Sequence, residues 1–169
     1  MINRVASVGL ALCCLALVPA GTAAQSGAEQ KKLDALVGKW RIEIDVKPTA
    51  TTAAGKASGT ESCEWFAELH VVCRAEASGA AGLYRSMRTF SYLPATRRYV
   101  SYSIDSLGYA VLTAGQVAGT TWTFSSEGSG FNVRSVLKTA KDAYTATSEY
   151  AGPDGTWTAA SVVTATRAR

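Results

Sequence analysis

Histidine and cysteine are scarce in this sequence, with one and four residues among 169, and their scarcity limits the chemistry available. A Ser-His-acid triad would need the single histidine, His70, and the Gly-x-Ser-x-Gly motif that presents many nucleophilic serines is absent. The sequence also lacks the Gly-x-Gly-x-x-Gly fingerprint of dinucleotide-binding proteins and the Walker loop of nucleotide-binding proteins. These absences favour a protein that is not an enzyme, and no cofactor is predicted.

Clusters of basic residues are also absent. Lys and Arg outnumber Asp and Glu by 17 to 13, but basic residues are adjacent only at Lys31-Lys32 and Arg97-Arg98. A nucleic-acid surface usually requires a concentrated basic patch, so nucleic acid is not an expected partner. The mild positive charge is better suited to keeping the protein soluble.

Long apolar runs are confined to the start of the chain. Arg4 is followed by an apolar run over residues 5–18, then by Pro19 and a small-residue ending at Ala24. This three-part pattern is typical of a secretory signal peptide. The apolar run is too short to span a bilayer comfortably, and no other stretch approaches the length that a membrane helix needs.

We therefore expect residues 1–24 to be cleaved and the protein to be exported, either to the periplasm or beyond it. A lipid anchor on Cys13 or Cys14 is disfavoured, because such a cysteine normally follows a small residue and these two lie in the middle of the apolar run. No stable membrane span is expected after cleavage. Residues 25–169 would form a single domain with a sizeable core, because a chain of about 145 residues buries roughly two thirds of its surface.

Cys63 and Cys73 remain after cleavage, an even number in a compartment where disulfides persist. They flank a predicted hairpin whose turn is centred near Glu68. Residues whose numbers sum to 136 then lie opposite each other, which places Cys63 beside Cys73 at bridging distance. A structural disulfide is predicted, with two reduced thiols as the alternative.

Metal or redox chemistry at these cysteines is disfavoured by the spacing. His70 and Cys73 are three residues apart, so in a strand their side chains point to opposite faces. Two thiolates alone do not complete a tetrahedral zinc site, and the spacing differs from the Cys-x-x-Cys motif of redox proteins. No metal is predicted, and His70 is expected to be a solvated residue near the turn.

The start of the mature chain predicts a short helix and then a strand. Leu33, Leu36 and Val37 have helical spacing, and Gly38 is expected to cap the helix. The following stretch, WRIEIDVK, alternates strictly between apolar and polar residues. This pattern is typical of a half-buried antiparallel strand.

Further β-rich runs recur every ten to twelve residues after a low-complexity loop at residues 48–59. They are Thr60–Phe66, Leu69–Ala77, Tyr84–Tyr92, Arg98–Asp105, Tyr109–Gln116, Thr121–Ser126, Gly130–Lys138, Ala143–Tyr150 and Thr156–Thr166. Their connections are short and rich in turn residues, as in Pro153-Asp154-Gly155, so consecutive strands should be neighbours. The sequence therefore predicts an all-β, up-and-down antiparallel barrel of about ten strands, in which the last strand pairs with the first.

The stretch LVGKW, residues 36–40, resembles the Leu-x-Gly-x-Trp opening of calycin-like barrels, which include lipocalins and nitrobindins. From LDALVGKW through CEWFAELHVVCRAE and FSYLPATRRYVSYSIDSLG to ATSEYAGPDGTWTAASVVTATR, the chain more closely resembles a secreted bacterial family, domain of unknown function (DUF) 1579. The resemblance to lipocalins implies that Arg167 stacks over Trp40 and closes one end of the barrel. Nitrobindin-like proteins hold haem through a late histidine, and the late strands here contain none.

The family brings no established activity, so the candidate site rests on aromatic residues that would face the barrel interior. From a set that also includes Phe131, the candidate ligand-binding residues are Trp65, Tyr84, Arg88, Tyr102, Tyr109 and Trp122. They suit a non-catalytic barrel that binds a small apolar or amphipathic ligand.

Two alternatives stay open. A filled barrel would serve as an envelope scaffold or interaction module, recognised by an outward aromatic patch. An enzyme would need convergent polar groups inside the barrel, such as Arg85, Arg88 and Asp105. Carboxylates such as Glu61 and Glu64 are interpreted as members of solvated strand faces.

Overall fold

The computed structural model describes residues 27–49, 53–126, 132–152 and 154–169, which contain ten strands. The strands are β1 (Gly38–Val46), β2 (Gly55–Phe66), β3 (His70–Gly79), β4 (Gly82–Leu93), β5 (Arg98–Asp105), β6 (Ala110–Ala118), β7 (Thr121–Ser126), β8 (Val133–Thr139), β9 (Ala143–Ala151) and β10 (Trp157–Arg167). A helical segment precedes them, helical over residues 27–31 and continued by a 3₁₀ turn at Lys32–Ala35. The predicted signal peptide, Phe131 and Pro153 lie outside the described residues.

The ten strands form one closed antiparallel barrel in which each strand pairs with its neighbours in the chain and β1 pairs with β10. The prediction of an all-β, up-and-down barrel with a short N-terminal helix is therefore confirmed. Closure leaves no unpaired strand edge among the described strands. It also gives every strand an inward and an outward face, which alternate residue by residue.

The alternation of β1 sets the inward face of the barrel. Trp40 and Ile42 are buried and Ile44 packs against the core, whereas Arg41 and Glu43 are exposed. Burying an apolar side chain of this size stabilises the fold by about 1.5 to 3 kcal/mol, which is why the strictly alternating sequence adopts this orientation.

The hairpin of β2 and β3 has the predicted register. Cys63 lies directly opposite Cys73, and their sulfurs form a disulfide with a Cα–Cα distance of 4.0 Å. The turn carries Ala67 and Glu68 at positive φ, close to the predicted centre. His70 differs from the prediction: it begins β3, is partly buried, and its Nδ1 is hydrogen-bonded to Ser91 Oγ at 2.6 Å.

Strand β2 starts five residues earlier than the sequence predicts, because Gly55–Gly59 belongs to the strand and not to the low-complexity loop. Glycine at position 59 permits a close approach of β2 to β3. A Cβ atom there would lie 1.9 Å from the backbone oxygen of Glu76, a distance that no side chain tolerates. The small residues that resemble a loop in the sequence are therefore part of a strand that lies very close to its neighbour β3.

Residues 27–37 cover one end of the barrel, and we call this segment the plug. Trp40 Nε1 donates to the Leu36 carbonyl oxygen at 2.9 Å, and Trp65 Nε1 donates to Asp34 Oδ1 at 2.9 Å. The N–H groups of both inward-facing indoles thus find acceptors on the plug. Leu33, itself a residue of the plug, is fully buried. The end of the barrel that carries the plug is the closed end.

A second set of contacts holds the plug from the other side of the barrel. The Tyr99 hydroxyl donates to Glu29, to its carbonyl oxygen at 2.9 Å and to Oε2 at 2.7 Å. Lys32 Nζ pairs with the same carboxylate at 2.7 Å. Hydrogen bonds from Lys32 and Tyr99 hold the pKa of Glu29 below its usual range, so this carboxylate is ionised at neutral pH.

Arg167 completes the closed end. Its guanidinium lies over the Trp40 ring, 4.3 Å from the centroid, and its Nη1 donates to the Val37 carbonyl oxygen at 3.0 Å. Such a cation–π contact contributes roughly 0.5 to 2 kcal/mol. The 3₁₀ turn ends at Ala35, so Gly38 is not the predicted cap but the first residue of β1, at φ 142°. A Cβ there would lie 2.2 Å from Arg167 Nη1, so glycine makes room for the guanidinium.

Candidate functional site

The half of the barrel next to the plug is a packed core. Its inward side chains are large and buried, and they include Trp40, Val71, Tyr92, Tyr99, Trp122 and Tyr144. The aromatic rings among them are in contact: the centroids are 5.2 Å apart for Trp40 and Tyr144 and 5.1 Å apart for Tyr99 and Trp122. Aromatic rings packed in this way fill the cross-section of the barrel interior.

Most inward residues of the opposite half are small or β-branched, with Tyr84 and Tyr150 as larger exceptions. Their side chains point into the barrel but remain partly exposed, which requires solvent to reach the interior. We call this half the cup; its walls include Ile44, Ala57, Ala75, Tyr84, Ser86, Ser103, Val111, Ser126, Ser135, Ser148, Ser161 and Val163. The cup opens at its mouth, the end where β1 stops and β2 begins.

The strand register explains the polar wall of the cup. Ser148 of β9 lies opposite Ser135 of β8 and Ser161 of β10, so three hydroxyls form a row across three strands at one level. A bulge between Ala159 and Ser161 allows β10 to keep Ser161 inward at this level. The cup thus combines small apolar residues with hydroxyl groups, which is the usual lining of a small-molecule site.

A polar group forms the floor of the cup, between the small residues and the packed core. The Tyr144 hydroxyl donates to Glu61 Oε2, and Arg88 lies beside this pair. Burial raises the pKa of Tyr144 far above its usual range, and the charge and the hydrogen-bonding carboxylate of Glu61 add to the rise. A cavity of about 10 Å³ remains among these side chains, close to the space that one water needs.

Tyr84 stands above the floor on the same strand as Arg88. Burial raises the pKa of Tyr84, and Asp105 adds to the rise, whereas a hydrogen bond with Ser86 and the charge of Arg88 oppose it. The phenol therefore stays protonated at neutral pH and is a hydrogen-bond donor inside the cup. Tyr84 and Arg88 are the two predicted ligand-binding residues that the structure brings together there.

The other four candidates lie elsewhere. Trp65 faces the plug and Trp122 is buried in the packed core, with its side chain 1% exposed. Tyr102 and Tyr109 are 44% and 46% exposed. Tyr102 points outward because its neighbours in β5, Ser101 and Ser103, take the inward positions. The cup is built without these four side chains.

Of the three residues that an enzyme would need inside the barrel, Arg85 lies outside. It precedes the inward Ser86 and pairs with Glu76 on the outer face at 2.8 Å. Asp105 faces inward at the mouth, where its Oδ1 accepts hydrogen bonds from the backbone N–H groups of Leu107 and Tyr109. The carboxylate is therefore occupied by the β5–β6 turn.

A family model described as "Protein of unknown function (DUF1579)" matches residues 25–167. The chain belongs to this family. No curated protein matches the sequence significantly. The DUF1579 chain is similar in fold to Rv2717c from M. tuberculosis, with a TM-score of 0.66, 11% identity, and coverage of 82% of this chain and 96% of that one. It is also similar to the S-type phycobiliprotein lyase CPES from Guillardia theta, with a TM-score of 0.60, 12% identity, and coverage of 86% and 97%.

Glu61 and Tyr144 of this DUF1579 protein are site residues that the sequence analysis missed, since it places Glu61 on a solvated strand face. The structure corrects this interpretation, because Glu61 points inward opposite Trp40 and bonds to Tyr144. Glu61 shares its strand face with Cys63, two residues away, but which face of β2 points inward depends on its register with β1, which the sequence alone does not determine.

Glu61, Cys63 and Cys73 form the one group of potential metal ligands found among the described residues, with ligand atoms within 4.8 Å of one another. The two sulfurs are bonded to each other, so neither is the thiolate that a metal would need. The disulfide indicates that the DUF1579 chain folds in an oxidising compartment. Within the described residues, no helix has the length and apolar character needed to cross a membrane.

A second concavity of the DUF1579 barrel lies on its outer surface. It measures about 720 Å³ and crosses β1 to β5, where outward residues such as Thr60, Met87 and Ile104 line it together with Ala75 and Ser86 of the cup walls. Salt bridges at its margin, including Arg85–Glu76, are exposed and contribute little to stability. We call this feature the outer groove.

Proposed function

We propose that this protein is an exported, non-catalytic barrel that binds a small, partly apolar molecule in the cup. The observation that carries the proposal is the contrast between the two halves of the interior. A filled barrel would bury all of its inward side chains, yet those of the cup are small and partly exposed. The cup therefore offers solvent-accessible space with apolar walls and a few hydrogen-bonding groups.

The proposed location supports this function. Residues 1–24 are proposed to be a signal peptide, and residues 25–169 a single domain that reaches the periplasm or the medium. A disulfide in the barrel wall suits either location.

Native mass spectrometry tests the proposal directly. The whole chain is expressed with its own N-terminal segment in a bacterial host, collected from the periplasm without detergent, and sprayed from a volatile buffer. We expect a small-molecule adduct that disappears when the protein is denatured. A bare protein mass, lighter by two hydrogens than the reduced chain, would preserve the disulfide but contradict the binding function.

A pair of variants distinguishes the cup from other binding places. Ser148→Trp fills the cup from its polar wall, whereas Thr147→Trp puts the same side chain on the exposed outer face of the same strand. The adduct should be lost from the first variant and kept by the second. An adduct that survives in Ser148→Trp would place the ligand outside the cup.

A second candidate function, a scaffold or interaction module, is favoured by the outer groove and the apolar residues beside it. Tyr102 lies opposite Leu112, and Ile104 opposite Met87, so that four large side chains lie together on the outer face. Their exposure is 38% for Ile104 and 54% for Leu112. In this case cross-linking in the intact envelope would give a specific complex that Ile104→Arg abolishes, and the cup adduct would be absent.

A further inference from the structure

Arg88 is the cation of the cup. It lies on the inward face of β4, opposite Cys73 of β3 and Ser103 of β5, at the level where the small residues give way to the packed core. Its side chain is partly buried, and its guanidinium carbon lies 5.9 Å from the centre of the Phe90 ring. The charge thus sits at the bottom of the cup, between Tyr144 on the floor and Tyr84 on the wall.

The guanidinium has five N–H donors, and among the described residues it forms no hydrogen bond and no ion pair. The carboxylates that face the interior have other donors: Glu61 accepts from Tyr144, and Asp105 accepts from the turn after β5. Removing a charge from water without a partner is costly, so partly buried arginines normally find carboxylates. The guanidinium of Arg88 is therefore available to bind an anion that is not part of the chain.

We infer that the ligand of the cup is an amphipathic molecule with a single carboxylate, which Arg88 binds at the floor while the apolar part extends toward the mouth. Guanidinium and carboxylate match in a planar, two-bond geometry, and such charged hydrogen bonds are about twice as strong as neutral ones. Ile44, Val111 and Val163 supply apolar wall between the floor and the mouth.

This inference rests on the proposed function and deepens it by naming the ligand class. It also explains why the interior keeps a polar group at all. Glu61 accepts the hydroxyl proton of Tyr144, and the guanidinium of Arg88 is the group of this cluster that attracts an anion. A neutral or cationic ligand would leave the guanidinium unpaired and would gain nothing from its presence.

Isothermal titration calorimetry with two matched probes tests the inference. Decanoate and decan-1-ol have the same tail and differ in the head group; both are titrated below their aggregation limits into the disulfide-bonded protein, from which any co-purified ligand has been extracted. We expect decanoate to bind at least about tenfold more tightly than decan-1-ol, as charged hydrogen bonds allow. Arg88→Gln should remove this difference, and the affinity for decan-1-ol should change by less than about threefold.

Arg85→Gln is the matched control. It changes the same residue type on the same strand, but its guanidinium is on the outer face, so the preference for decanoate should be unchanged. Arg88→Gln should also keep or raise the midpoint of thermal unfolding without ligand, because it removes a charge that has no partner. A lower midpoint would show that Arg88 is a structural residue and would overturn the inference.

The remaining outcomes separate the two proposals. Equal affinity for both probes, or a preference for decanoate that survives in Arg88→Gln, would overturn the carboxylate inference and leave the binding function in place. If neither probe binds, the binding function fails and the inference fails with it.

Discussion

Loss of the Cys63–Cys73 disulfide should weaken the barrel by an amount that the structure fixes. The bond joins residues separated by 10 positions. For a loop of this length, the lost constraint on the unfolded chain amounts to about 2.7 kcal/mol. We therefore expect the Cys63→Ala/Cys73→Ala variant to lose about 3 kcal/mol in unfolding free energy, with a melting point roughly 6 to 12 °C lower.

The assay is urea unfolding followed by tryptophan fluorescence, with and without a thiol reductant. The reduced wild type should lose nearly as much stability as the double variant, and the double variant should not respond to the reductant. The buried position of both side chains, 4% and 3% exposed, means that reductant reaches the bond only when the hairpin opens. If the reduced and oxidised wild type were equally stable, the cross-strand pairing alone would hold the register and the reasoning would be wrong.

Three further predictions concern the close contact between β2 and β3, the packed core and alkaline pH. Gly59→Ala should lower the unfolding free energy by about 3 kcal/mol or more, measured by chemical denaturation, because its Cβ would collide with β3. Gly55→Ala is the control: it has open space around it and should leave the unfolding free energy nearly unchanged. Trp122→Phe should leave stability within about 1 kcal/mol, because Trp122 Nε1 is a buried donor with no partner among the described residues; a loss above about 2 kcal/mol would reveal a bound partner such as water. Tyr99 and Tyr144 have raised pKa values, chiefly through burial. Their unfolded forms ionise near pH 10 and their folded forms do not, so stability should be full below about pH 10 and fall above it. Tyr144→Phe should flatten this fall in a pH series of melting points, and an unchanged slope would show that other groups control it.

The architecture could be predicted from the sequence because the signals for β-strands are local. The bounds of β5 and β7 agree with the predicted runs, and the register of the β2–β3 hairpin follows from the position of its turn. The start of β2 could not be predicted in this way, because the Gly-Lys-Ala-Ser-Gly composition is typical of a loop. Only the contact with β3, which is distant in the sequence until the hairpin forms, makes small residues necessary there.

Which face of each later strand points inward could not be predicted from the sequence. This orientation determines which of the candidate residues line the cup. In β5 the aromatic Tyr102 faces out while the serines beside it face in, the reverse of what hydrophobicity suggests. Tyr102 instead lies opposite Leu112 on the outer face, where the two apolar side chains are neighbours. The floor of the cup could not be recovered from Trp40, because the sequence does not determine the register of β2 against β1.

The pairing of β1 with β10 also determines the direction in which attached chains leave the barrel. Ala168 N still donates to the Lys39 carbonyl oxygen at 2.8 Å, so the last described residues run beside the start of β1 at the plug. A purification tag, a surface tether or a reporter protein joined to either end of the described chain would start at the plug, on the side away from the mouth. Attachment at either end of the described chain would therefore leave the mouth free, whereas a circularly permuted chain opened between β3 and β4 would carry its new ends on the rim.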